Sequence, residues 1–392
     1  MHRSGHEGPV RDRHIADRAS TILSVANELI DDLGSLTERI ASVAAPTGNE
    51  GERSLLVANY FRAARLAVHV DDLGDVVAVL PGLGPGPAVL LAAHLDTVFP
   101  IGTALSITRS DGRITGPGVG DNSLGVAALM LMPALLERTG IRPAVDVLLA
   151  ADVGEEGLGN LRGMHAVMDA WPATGAVVAI EGHNLGRLTH VAVGSRRIRL
   201  TATGPGGHSW GDAGRPSAIH ALARVVSQLS GLSLSRTPKT SLNVGTFEGG
   251  VSVNTIAPIA TCVIDLRSVD DASLGALVAR VQHIVETESR AGITISTEVL
   301  GDRPAGIVPL DSAIVRDATA VLEALGLEAT FDASSTDANV PISRGIPAVC
   351  IGLSHGGNVH REDEYVELGP AATGLAQLGL LTIALADHLG GS

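Results

Sequence analysis

The sequence predicts an α/β protein. A mainly parallel sheet flanked by helices carries an inserted two-layer unit of β-α-β-β-α-β order. Three observations lead to this. Strand patterns that are apolar throughout alternate with helical ones, as in a parallel sheet covered on both faces. Near residue 190 that texture gives way to polar–apolar alternation, and it returns after residue 303. The chain, at 392 residues, also exceeds one ordinary core, so about two domains are expected.

Each element follows in order. Residues 18–45 and 54–67 carry apolar residues at helical spacing. Strand patterns occupy 66–82 and 87–98. The run 123–140 reads as a buried helix, with Asn122 or Ser123 as its cap and Gly140 at its end. Two more apolar strands lie at 144–152 and 175–184. The alternating strand 189–204 then begins the inserted unit. A helix at 215–232, strands at 240–250 and 252–269, a helix at 271–290 and a strand at 293–300 complete it. A helix at 312–326, a strand at 348–352 and a helix at 374–389 return to the first texture. The division expected is therefore a disordered tail at 1–17, a catalytic, metal-binding domain of 18–190 and 304–392, and an inserted lid or dimerisation domain of 191–303.

Composition excludes several classes. The net charge is −14 and no basic stripe is present, which argues against nucleic acid and anionic membrane surfaces. Two distant cysteines, Cys262 and Cys350, suit a reducing compartment with both thiols free. The polar N-terminus lacks the apolar core of a secretory signal, and no apolar run is read as approaching a membrane span. These features point to a cytoplasmic protein. With 2% aromatic residues, packing falls to aliphatic side chains.

Ligands of an open α/β sheet gather at the carboxyl ends of its strands. His94 and Asp96 follow one strand, Glu155 and Glu156 a second, and Glu181 a third. Asp121 stands at a helix start, and His360 follows the last strand. Imidazoles with carboxylates suit Zn²⁺, with Co²⁺ or Mn²⁺ as alternatives. Five donors, His94, Asp121, Glu156, Glu181 and His360, exceed what one catalytic zinc takes. Two ions sharing a carboxylate, about 3.5–4 Å apart around a bridging hydroxide, would use them all. In His94-Leu-Asp96 the carboxylate can accept the other ring N–H of a ligating imidazole, although such a pair alone also describes an ordinary surface. Adjacent Glu155 and Glu156 repel without compensation. A dication changes that balance, leaving Glu156 as ligand and Glu155 as general base. The plain alternative, a solvated acidic turn, is weakened by the buried strand directly before it.

The segments "HLDTV", "GVGDNSLG", "GEEGLGN", "EG" and "GGNVHREDEY", in this order and spacing, resemble the co-catalytic di-zinc metallopeptidase and deacylase family. Glutamate carboxypeptidase, tripeptide aminopeptidase, acetylornithine deacetylase and succinyl-diaminopimelate desuccinylase belong to it. The resemblance runs from about residue 20 through the inserted domain. It implies Asp121 as bridging ligand, His94 and Glu181 on one ion, and Glu156 and His360 on the other. Asp96 would orient His94. His208 in "TGPGGHSWGD" would reach the active site, often that of a partner subunit, and polarise the scissile carbonyl. Asn254 and Arg267 match substrate-contacting positions. The function implied is hydrolysis of an amide bond in a small peptide or N-acyl amino acid, peptidase slightly before deacylase, by a homodimer. A non-catalytic metal-binding protein on the same scaffold is the alternative, and a missing base would be its sign. The remaining histidines, His183 among them, have no ligand-like context in the sequence.

Overall fold

The computed structural model describes residues 8–290 and 292–391, with the side chains of 8–13 outside that description. The chain divides into two compact units, one formed by the described parts of Met1–Val191 and Ile307–Ser392, the other by Ala192–Gly306. Of the tail expected at 1–17, residues 1–7 lie outside the described residues. Residues 8–17 belong to the helix Gly8–Glu28.

The first unit is organised by four parallel strands, Val147–Asp152, Ala88–His94, Thr174–Glu181 and Ala348–Gly352, adjacent in that order. Antiparallel strands, Val76–Leu80 and Arg187–Ala192 among them, flank this core. Every residue of Ala88–His94 and of Val147–Asp152 is buried, which explains their unbroken apolar sequence. Register fixes what emerges at the carboxyl edge. His94 pairs with Asp152, Ala92 with Ala179, and Gly352 with Glu181. His94, the 153–156 loop, Glu181 and the segment after Gly352 therefore leave the sheet side by side.

Helices Gly125–Thr139 and Leu368–Gly390 belong to the same unit. Membrane length was underestimated in the sequence: Val119–Thr139 and Leu368–Gly390 are both long and apolar enough to span. Their place in the fold explains this, since 83% of each apolar window is buried inside the protein. Each fully buried Leu along them contributes roughly 1.5–3 kcal/mol. The helix at Gly125 is not capped by Asn122 or Ser123; its N-cap position is Leu124, with no side-chain cap. Asn122 instead donates from Nδ2 to the Ile180 carbonyl at 2.6 Å, inside the core. Gly140 does end the helix, in the left-handed conformation that favours glycine.

A small four-stranded sheet was not read from the sequence. It orders Gly356–Gly357, Tyr365–Glu367, Arg113–Thr115 and Thr108–Ser110. Its value is positional. Pairing Tyr365 with Thr115 holds the 358–364 loop beside the turn that leads to Asp121.

The second unit is an antiparallel sheet in the order Thr240–Gly249, Ile259–Ser268, Gly194–Thr203, Thr294–Arg303. Helices Ala218–Ser230 and Asp271–Glu288 pack on one face around Leu200, Leu222, Val225, Ile264, Leu266 and Leu277. Asp270 caps the second helix by accepting the Ser273 N–H at 2.8 Å. The order of elements is the β-α-β-β-α-β expected.

Candidate metal centre

All five candidate donors lie in the first unit, and the structure brings them together. His94 Nε2 is 3.1 Å from Asp121 Oδ1 and 3.9 Å from Glu181 Oε2. On the other side of Asp121, its Oδ2 is 3.1 Å from His360 Nε2, which also lies 3.2 Å from Glu156 Oε1. Asp121 thus turns one carboxylate oxygen to each histidine. Donor atoms of His94, Asp121 and Glu156 all fall within 4.8 Å of one another. His360 adopts a positive φ of 65°, a sparsely populated conformation for a non-glycine residue and one that recurs at functional sites.

Asp96 departs from its expected geometry. The His94 Nδ1 partner is the main-chain carbonyl of Asp96, at 3.0 Å; the carboxylate stays 3.6 Å away. That carboxylate is already engaged. It accepts the N–H groups of Glu155 and Glu156 at 3.0 and 2.9 Å and the Thr47 hydroxyl at 2.7 Å. Asp96 therefore supports both sides of the site: its backbone fixes the His94 ring, and its side chain fixes the loop carrying the paired glutamates. Both glutamates are buried, so neither belongs to a solvated turn.

The charged groups of the cluster act strongly on one another. Burial alone would lower the His94 pKa, but contacts with Asp121 and Asp96 and the charge of Glu181 hold it well above its ordinary value. Hydrogen bonds with Asp121 and Glu156 push His360 up to about 10. Burial opposes the Asp121 carboxylate, yet the two imidazoles keep it below the usual carboxylate range. Burial and the neighbouring Asp121 drive Glu181 well above that range. Protons on the imidazoles thus offset the crowded acids where dications otherwise would. The nitrogen and oxygen donors suit divalent ions. Any ion taken up here would displace those protons, so its apparent affinity would fall as pH falls.

Sequence reasoning missed two supporting groups. Glu364 is fully buried and accepts the Asp121 N–H at 2.9 Å and the Gly118 N–H at 2.8 Å. His183 Nε2 lies 2.7 Å from the same carboxylate. At Gly120 a Cβ would collide with the His183 ring, so glycine is what lets the Asp121 turn approach. The available signal for His183 was its spacing of two from Glu181.

A second group of acids, Asp75, Asp152 and Asp337, is buried in this unit. Burial pushes Asp75 and Asp152 up to about 8, and Asp337 well above its ordinary value. A carboxyl whose folded pKa is raised contributes stability that is full below the unfolded pKa of about 4 and is lost as pH rises towards the folded value. Asp152→Asn removes one ionisation from this buried group. It is expected to raise the Tm of the metal-free protein by a few degrees at pH 8 and by clearly less at pH 5, measured by thermal denaturation. An equal gain at both pH values, or a loss at pH 8, would contradict this.

His208, Asn254 and Arg267 lie in the second unit. His208 Nδ1 accepts the N–H groups of Trp210 and Gly211, both at 3.2 Å. That leaves the ring proton on Nε2, as a donor. Asn254 belongs to the adjoining segment: its carbonyl accepts the Ser209 N–H at 2.9 Å. Arg267 donates from Nε to Asp265 Oδ2 at 2.7 Å, on the sheet face opposite the buried residues of its strand.

Comparison with known proteins identifies the family and the fold. The model of peptidase family M20/M25/M40 matches residues 90–381. Succinyl-diaminopimelate desuccinylase of Corynebacterium glutamicum is 27% identical over 350 residues, covering 86% of this chain and 92% of that protein. Among solved structures, a tripeptidase from Staphylococcus aureus subsp. aureus Mu50 superposes with a TM-score of 0.79 at 22% identity, covering 92% of this chain and 99% of that one. The Bacillus subtilis YXEP protein, described as a dinuclear metal-binding peptidase, gives a TM-score of 0.71 at 14% identity, covering 92% and 99%. At these identities the structural matches speak for the fold.

Proposed function

This chain belongs to peptidase family M20/M25/M40, and from that membership we propose that it hydrolyses an amide bond in a short peptide or N-acyl amino acid with two divalent ions held by His94, Asp121, Glu156, Glu181 and His360. The carrying observation is Asp121, whose two carboxylate oxygens each lie 3.1 Å from a different histidine. A shared ligand must have that disposition. His94 and Glu181 would complete one ion's set, Glu156 and His360 the other's. Zinc suits these donors, with cobalt or manganese as alternatives.

Once bound, the ions supply Lewis acidity to the scissile carbonyl and bring the pKa of water towards neutrality. Glu155 takes a proton from the attacking water as the C–O bond forms. When the C–N bond breaks, it passes that proton to the leaving nitrogen, giving a carboxylic acid and an amine. Asp96 holds Glu155 in place through its main-chain N–H. A non-catalytic role is not favoured, since a buried glutamate, Glu155, is present next to the donor Glu156 to serve as base.

His208 is assigned as the oxyanion donor, reaching the centre from its own chain or from a partner in a homodimer. Its Nε2–H, set by the two N–H groups on Nδ1, is suited to the developing charge. Asn254 and Arg267 are assigned to substrate, Arg267 to a free carboxylate. His208→Ala is expected to lower kcat by about 10²–10³-fold without loss of bound metal, read by steady-state kinetics and elemental analysis. Unchanged kcat would remove His208 from the mechanism. The two unpaired, buried cysteines support a reducing, cytoplasmic setting. The function itself is tested by assaying metal-free and reconstituted protein on dipeptides and N-acyl amino acids. Turnover restored by metal supports it, and dipeptide preference assigns peptidase over deacylase. No turnover on either panel with both ions bound would overturn it.

A further inference from the structure

We propose that Glu364 and His183 are positioning residues for Asp121, forming a second buried carboxylate support that does for the Asp121 side of the centre what Asp96 does for the paired glutamates. The inference rests on the metal reading above.

Three segments bearing donors meet at Glu364. It stands four residues after His360, it accepts the N–H of Asp121 itself, and it is bonded by His183, two residues after Glu181. Its second oxygen takes the Gly118 N–H, and its main-chain carbonyl takes the Gly116 N–H at 2.8 Å. One side chain and its backbone thus fasten both ends of the turn preceding Asp121. His183 Nδ1 has no hydrogen-bond partner among the described residues. The ring's polar contact is therefore made through Nε2, which donates to Glu364.

The parallel with Asp96 is close. Asp96 accepts the N–H groups of Glu155 and Glu156; Glu364 accepts those of Gly118 and Asp121. Both carboxylates are fully buried, and both accept main-chain N–H groups of residues at the centre. Hydrogen bonds to a charged acceptor are stronger than neutral ones. A turn held by two of them keeps the Asp121 oxygens aimed at His94 and His360. Glutamine at 364 would turn an NH₂ group towards one of these N–H donors and lose that hold.

The test is a metal titration of the metal-free wild type, Glu364→Gln, His183→Leu and His183→Gln proteins, with zinc as the probe. Substrate kinetics and far-ultraviolet circular dichroism accompany it. Glu364→Gln and His183→Leu are expected to weaken binding of at least one ion by about tenfold or more and to lower kcat with little change in KM. His183→Gln, which keeps an N–H within reach of Glu364, is expected to recover most of the affinity. Wild-type affinity in both Glu364→Gln and His183→Leu overturns the proposal, as does a His183→Gln protein as defective as His183→Leu. Where Glu364→Gln does not fold, the two His183 variants decide. A wild-type chain that takes up no zinc overturns the metal reading itself.

Discussion

Glu155→Gln is expected to lower kcat by about 10³-fold, within the range a positioned general base contributes, while both ions remain bound. Glutamine preserves the shape of the side chain and cannot accept the proton. The Asp96 contact uses the main-chain N–H of residue 155, which the substitution keeps, so the loop retains its anchor. Glu156 and the other donors are untouched. The variant thus separates proton transfer from ion holding. Steady-state kinetics on a metal-loaded sample, with metal content measured on the same sample, provides the check. Near-wild-type turnover would assign the base elsewhere.

Asp121→Ala is expected to have the largest effect, abolishing measurable turnover and reducing the bound metal to at most one ion per chain. Asp121 stands between the two histidines, 3.1 Å from each. The other carboxylates make their short contacts to one histidine each, Glu181 to His94 at 3.9 Å and Glu156 to His360 at 3.2 Å. Its removal leaves two half-sites with nothing shared. It also removes the counter-charge that raises both imidazoles. Elemental analysis of the purified variant and its activity after metal addition report both consequences. Two tightly held ions in Asp121→Ala would show that the ligand is not shared.

Much of this centre could be read before any coordinates, because His94, Glu156, Glu181 and His360 each follow a strand whose apolar run is unmistakable, while Asp121 stands at the start of an apolar helix. His94, Glu156 and Glu181 leave one carboxyl edge, and edges are where α/β sheets place chemistry. What stayed hidden depends on contacts between distant segments. Glu364 sits in "HREDEY" beside Glu362 and Asp363, and composition does not distinguish the buried acid from its two exposed neighbours. The strand pairing of Tyr365 with Thr115 makes the difference. His183 looked like a loop histidine because its partner lies 181 residues away. Asn122 had the residue type of a helix cap, yet the core carbonyl of Ile180 claims its amide. Asp96 was legible as a supporting group, but not the choice between its backbone and its carboxylate. Three better-placed donors settle that choice. The length and apolarity of Leu368–Gly390 likewise follow from burial inside the unit, which sequence length alone does not report.

The proposed centre consists of five side chains of one unit that would hold two ions through Asp121. Anomalous diffraction from crystals of the zinc-loaded protein tests it most directly. Two metal peaks about 3.5–4 Å apart, with Asp121 between them and His94 and His360 on opposite sides, are the predicted result. A single peak, or metal bound away from these residues, would contradict it.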